Sequence, residues 1–177
     1  MTKPITFHKD RVFRETRGVH FSDVWVQGQN GLDLVVHRGF AVSPPNIAGT
    51  GEKQFYIHQH QTDNNRCIEG RRIFELVATN GVMQHQHYLV LLDDNIGALE
   101  ILPQVYHRSV SCEEGSILLN HAVRDEEYEE AKEFNPTSPS QDPEMREVLE
   151  RNKPVFVNFT KEQRLFFLET GKVPMFN

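Results

Sequence analysis

Cysteine is nearly absent: the 177-residue chain carries two, Cys67 and Cys112. Two thiols close at most one bridge, which excludes a disulfide framework and suits the reduced thiols of a cytosolic protein. An excess of basic charge is missing too. Nineteen Lys and Arg stand against twenty-five Asp and Glu, a net charge of −6, so non-specific nucleic-acid binding, which needs a positive face, is excluded. No apolar run reaches the ~18 residues of a membrane span. The start MTKPITFHKDRVF has no apolar stretch of the signal-peptide kind. There is no G-x-G-x-x-G, no P-loop, no C-x-x-C and no nucleophile elbow, so the usual dinucleotide, nucleoside triphosphate, thiol-redox and serine-hydrolase signatures are all lacking. These absences leave one mildly acidic domain, expected to be cytoplasmic and to bind neither membrane nor nucleic acid.

What remains reads as strands. HFSDVWV (20–26), LDLVVHRGFAV (32–42), QFYIHQH (54–60), RRIFELVAT (71–79), VMQHQHYLVLL (82–92), ALEIL (98–102), YHRSVS (106–111) and SILLNHAV (116–123) are rich in strand formers. Asn30-Gly31 and Asn80-Gly81 are hairpin signals, because both residue types tolerate positive φ. QTDNNRCIEG (61–70) reads as a turn region, and Asp63 to Arg66 as a loop beside a pocket mouth. Short strands with frequent turns point to an all-β sandwich or barrel.

After residue 124 the pattern changes. DEEYEEAKEF (125–134) is acidic and helix-compatible, read as a solvated face. Asp142 before Pro143 reads as a helix cap, KPVFVNF (153–159) as one more strand, and Thr160 to Gln163 as a capping box for a helix ending at Gly171. The expected organisation is an N-terminal arm (1–19), a barrel (20–124) and a helical extension packed on it (125–177).

The chemistry available is that of histidine. The chain has nine, and five of them, His58, His60, His85, His87 and His107, fall between residues 58 and 107. Residues i and i+2 of a strand share a face, so each H-x-H pair aims two imidazoles one way. That suits metal ligation or paired acid–base work. His8, His20, His37 and His121 read as ordinary packed or half-exposed side chains.

His58-Gln59-His60, a strand ending at Asn80-Gly81, and LEILPQVYH (99–107) resemble the two motifs of the cupins, over about residues 32–123. GSILLNHAVRDEEYEEAKEF (115–134) is similar to the ending of the sugar ketoisomerase branch. The resemblance implies a cupin jelly roll of two antiparallel sheets with short C-terminal helices, paired as a homodimer. Two departures stand out: Gln104 occupies the place of a turn glycine, and Phe74 that of the first motif's acid, with Glu75 the nearest substitute. If Asn80-Gly81 centre a two-residue turn, Glu75 faces Gln86, Phe74 faces His87 and Leu76 faces His85, so Glu75 lies on the face opposite His85 and His87. This reading puts Glu75 inside the barrel with His58 and His60.

Two enzymatic expectations follow. The leading one is a metal-free isomerase or epimerase acting on a keto-sugar or nucleotide sugar. There His58 or His60 is the base, Tyr106 (or Tyr56 or Tyr88) the acid, and Gln61, Arg71 and Arg72 hold the substrate, the arginines on its diphosphate. No cofactor is implied in that case. The alternative is a metal-dependent cupin enzyme, with His58, His60, Glu75 and His107 around Fe, Mn, Ni or Zn. A third class is a non-catalytic barrel that binds a small molecule.

Overall fold

The computed structural model describes residues 11–24, 26, 31–79 and 85–176. The expected turns at Asn30 and Asn80-Gly81, together with His8 and Trp25, lie outside them. Among the described residues nine strands and three short helices follow in order. They are β1 (Arg11–Thr16), β2 (Val19–Asp23), β3 (Leu32–Arg38), β4 (Val42–Ser43), β5 (Gln61–Ala78), β6 (Gln86–Asp93), β7 (Ala98–Ile101) and β8 (Val105–Arg124). After them come α1 (Glu130–Glu133), α2 (Pro143–Arg151), β9 (Val155–Val157) and α3 (Lys161–Thr170).

Two long strands organise the barrel. The first half of β5 pairs with the second half of β8 (Asp63↔Ala122, Asn65↔Asn120), and the second half of β5 with the first half of β8 (Phe74↔Ser109, Leu76↔His107). Register breaks at Cys67/Glu69 and Gly70/Arg72 bend the pair between these halves, as β-bulges do. Each strand therefore serves two layers. One layer continues through β3, β2 and β1, the other through β6 and β9, while β7 and β4 pair with β5 and β8. All pairings are antiparallel except β6 with β9. The bend is tight: a Cβ on Gly70 would come within 2.3 Å of the Gly115 carbonyl oxygen, and one on Gly115 within 2.3 Å of that of His37. The chain passes there only because these positions lack a side chain.

The region 61–70, expected as a turn, is therefore strand. Its buried alternate positions are Gln61, Asp63, Asn65 and Cys67. Three of the four are polar, so the period-2 alternation is present in burial but not in hydropathy. QFYIHQH does the reverse: Phe55 and Tyr56 make only isolated bridges, to Thr137 and His107.

Val35, Cys67, Phe74, Leu76, Val90, Leu92 and Leu118 fill the space between the layers. Apart from Glu75 and His87, the opposite face of β5 and β6 is apolar as well. Val77 packs with Tyr106, Met145 and Val148, and Ile73, Leu89 and Leu91 with Val173. The C-terminal extension covers this outer face, which is why RRIFELVA has no polar alternation. Its helices begin and end as their caps dictate: Asp142 accepts from the Met145 amide at 3.0 Å, Thr160 and Gln163 form the capping box, and Gly171 closes α3 with φ +68°. Among the described residues no helix is long and apolar enough to cross a membrane.

Candidate functional site

The space between the layers is only partly filled at the end where β5 begins and β8 begins. There the first residues of β5 present Gln61, Asp63 and Asn65 inward, the β8 residues His107, Ser109 and Asn120 meet them, and the loop before β5 adds Tyr56 and His58. The cavity holds about 510 Å³ not filled by protein, open mouth included, of which about 60 Å³ is free for the centre of a water molecule. It has room for a molecule of a few heavy atoms. Arg14, Tyr56 and Phe134 also line a wider groove outside, with Phe13, Glu130 and Asn135, so these three form the mouth.

His58, Asp63 and His107 converge inside the cavity. The Asp63 Oδ2 lies 3.6 Å from His58 Nε2 and 3.8 Å from His107 Nε2. One ligand-type atom from each of the three falls within 4.8 Å of the others, and all three residues are buried. The other ring nitrogen of each histidine is committed. His58 Nδ1–H donates to the Glu133 carbonyl at 2.9 Å, and His107 Nδ1–H to the Val105 carbonyl at 3.2 Å. A carbonyl can only accept, so each neutral ring carries its proton on Nδ1 and presents a lone pair on Nε2. The remaining Asp63 oxygen, Oδ1, accepts from Gln61 Nε2 at 2.7 Å and Asn120 Nδ2 at 3.0 Å. Burial, and then the neighbouring His107, push His58 down to about 4, so its imidazole is neutral over the physiological range.

Glu133 is the residue that sequence reasoning missed most completely. It sits in the acidic stretch expected to be solvated, yet is 1% exposed. Its carboxylate accepts from the Gln59 and His60 amides at 2.8 and 3.2 Å, and its carbonyl from His58. It clamps the H-x-H segment over the cavity. Nothing in its local sequence separates it from the five other acids around it.

Of the expected site residues, His58, Gln61, Arg72 and His107 line the cavity, and His60, Arg71, Glu75 and Tyr106 do not. The residues 57–60 are not a strand, so the i, i+2 rule fails for this pair. The His60 ring turns outward to Asp125, 3.0 Å away, a hydrogen bond that raises its pKa. Tyr106 lies on the outer face and donates to Asp142 at 2.5 Å; burial, then Asp142, raise its pKa. Arg71 and Arg72 are successive strand residues and point to opposite faces. The first donates to the Pro174 and Phe176 carbonyls and holds the C-terminal tail, while the second is buried in the barrel. They do not form one diphosphate clamp.

Glu75 is on the outer face of β5. It faces Leu89, not Gln86, a shift of three positions from the expected register. An odd shift exchanges faces, so Glu75 and His87 share a side, with Oε1 3.1 Å from His87 Nε2. The exposed Lys53 at 2.8 Å and the buried Arg108 at 3.6 Å complete an ion cluster there. His85 is exposed. Neither Glu75 nor His60 joins His58 and His107; Asp63, expected in a loop, takes that place. Tyr56 is at the mouth, its hydroxyl bonded to Arg14, and Tyr88 packs against the core between the layers.

No protein-family model and no curated protein matches the chain. Solved structures do. The capsular polysaccharide assembling protein CapF of Staphylococcus aureus superimposes with a TM-score of 0.52 at 8% identity, over 72% of this chain and 32% of CapF. The cupin domain of Drosophila melanogaster CENP-C gives 0.48 at 10% identity, over 63% of this chain and 70% of that domain. KdgF of Halomonas sp. gives 0.45 at 14%, over 68% and 89%. At such identities the likeness concerns the fold.

Proposed function

We propose that this chain, which has the cupin jelly-roll fold, is a metal-dependent enzyme acting on a small polar molecule, with His58, Asp63 and His107 as the protein ligands of a divalent ion. The observation that carries the reading is the meeting of three acceptor atoms, Nε2 of His58, Nε2 of His107 and Oδ2 of Asp63, with no donor of the described residues between them. Three acceptors aimed at one point suit a cation at its centre. Two imidazoles and one carboxylate fit Fe(II), Mn(II), Ni(II) or Zn(II).

A bound ion supplies Lewis-acid polarisation of a substrate oxygen. The Glu133 and Val105 carbonyls orient the two imidazoles, and Gln61 and Asn120 hold Asp63 with its second oxygen inward. These outer partners matter for affinity as well as direction. Arg14, Tyr56 and Phe134 narrow the mouth and limit water access.

The test is metal analysis of protein purified without a histidine tag. The expected result is about one ion per chain, retained in His60→Ala and lost in His58→Ala and His107→Ala. Wild-type protein that takes up none of the four ions overturns the reading.

A second reading uses the same cavity without metal: proton transfer on a keto-sugar. What favours it is that burial keeps His58 neutral, with Nε2 open to the cavity, and raises the Tyr56 phenol at the mouth. His58 would take the proton beside the ketone and Tyr56 return one, replacing His60 and Tyr106 in those roles. Deuterium incorporation into a nucleotide keto-sugar by chelator-treated wild type, absent in His58→Ala, is the result this reading requires. The homodimer belongs with either reading and is checked by light scattering.

A further inference from the structure

The cavity has a second end. Arg72 is four residues from Leu76 along β5, roughly 13 Å of strand, and Leu76 is the partner of His107. Arg72 lies beside the Gly70/Gly115 bend of the barrel. It is 1% exposed and lines the same cavity. Its Nε donates to Ser116 Oγ at 2.9 Å and its Nη2 to the Ser116 and Val35 carbonyls at 3.3 and 3.4 Å. These partners are neutral. Among the described residues no carboxylate pairs with Arg72, and the ionisable groups that act on it are the thiols of Cys67 and Cys112.

The surroundings repeat this. His37 is 2% exposed and lines the cavity, and among the described residues its ring has no side-chain partner, only the Ala41 backbone nearby. Asn65 is 6% exposed and its Nδ2 is unpaired. Arg14 at the mouth bonds Tyr56 and Ser43, again with no carboxylate among the described residues. The charged residues lining the cavity are thus two guanidiniums and one carboxylate, Asp63. A fully buried guanidinium without a counter-charge is costly, and the geometry that satisfies it best is a carboxylate set against its planar donors.

We propose that the Arg72 end of the cavity is a carboxylate subsite, in which Arg72, with Asn65 lining the same cavity, receives the anionic end of a short organic acid whose other polar end reaches His58, Asp63 and His107. This deepens the metal-enzyme reading by naming its substrate class, and it rests on that reading only for what happens at the far end of the ligand.

The probe is malonate, with malonamide as its uncharged counterpart, added to chelator-treated protein at low ionic strength. Calorimetry is expected to show saturable binding of malonate and none of malonamide. In wild-type protein with labelled arginine side chains, malonate is expected to shift the Nε–H resonance of Arg72. Arg72→Met, if it folds by circular dichroism, is expected to weaken malonate at least tenfold. Asn65→Leu, which keeps the guanidinium and obstructs the approach, is expected to weaken it too and serves where Arg72→Met does not fold. Absence of malonate binding, equal binding of malonamide, or an unmoved Arg72 resonance overturns the subsite. Metal uptake is measured separately in the absence of malonate. Uptake without anion binding overturns the subsite alone, and anion binding without uptake overturns the metal reading alone.

Discussion

The rings of His58 and His107 stand 4.9 Å apart between centroids, and each spends its Nδ1–H on a main-chain carbonyl, Glu133 for one and Val105 for the other. Their free nitrogens are thereby directed at Asp63 by the backbone. Nearby side chains then refine the arrangement: Asn120 holds Asp63 by its outer oxygen at 3.0 Å.

Divalent-ion affinity should follow this hierarchy. His58→Ala, His107→Ala and Asp63→Ala are expected to abolish uptake, and Asn120→Ala to weaken it ~10- to 100-fold by loosening Asp63. Glu75→Gln should leave uptake unchanged, because Glu75 is on the other face of β5. Isothermal titration with Mn(II) or Zn(II) measures the series, and loss of uptake in Glu75→Gln would contradict the assignment.

Glu75 matters for stability instead. Burial works to raise its pKa, but the hydrogen bonds from His87 and Lys53 and the charge of Arg108 outweigh this and hold it down to about 2. A carboxyl depressed in the folded state contributes stability above its unfolded pKa of 4.5, lost as pH falls through the folded value near 2. Glu75→Gln leaves Arg108 buried without its partner and is expected to cost ~3–5 kcal/mol at pH 7. Urea melts of the two proteins should converge as pH is lowered from about 5 toward 2; a constant gap would refute the electrostatic account.

Asp33 has the opposite sign. It is 1% exposed and faces Asp23 across the β2–β3 pair. Burial first, then Asp23, push its carboxyl up to about 8 from 3.8. The folded chain thus holds a proton that the unfolded chain releases, and this contribution, complete below pH 3.8, is lost as pH rises through about 8. Asp33→Asn keeps the shape without the charge. It is expected to raise the unfolding free energy at pH 8 by more than ~1 kcal/mol and to change it little at pH 4. Denaturation at both pH values, with equal differences at each, would count against it.

Gln104 takes φ +65°, the left-handed region, just before His107, and its amide donates to the His58 carbonyl at 2.7 Å. Gln104→Gly is expected to stabilise by up to ~1 kcal/mol, since the left-handed cost for a side chain exceeds the added freedom of glycine in the unfolded chain. Gln104→Val is expected to destabilise by more than that and to lower metal affinity through the displaced His58 segment. A thermal melt in which valine is tolerated as well as glycine would show that the turn is not under strain.

Much of the outline was legible along the chain. Hydropathy and turn residues marked the strands 32–38, 71–78, 86–93 and 116–123 and the all-β class, because strands covered on one or both sides must be apolar there. Asp142-Pro143, Thr160 with Gln163, and Gly171 marked the helix ends, because a cap is a contact between residues a few positions apart. His58 and His107 were visible as candidates, since few residue types can do this chemistry.

Tertiary structure alone decided which side chains meet. Strand 61–67 faces a polar cavity, so its inward residues are Gln, Asp and Asn, and in a linear reading they look like a turn. Asp63 was therefore hidden, and Glu75 was misplaced by an odd register shift that no local pattern encodes. Glu133 is buried through contacts with Gln59 and His60, far away in the chain. A local pattern reports what a residue's own neighbours require; where it points once β5 and β8 have bent around each other depends on pairings between distant segments, and those are set only when the barrel closes.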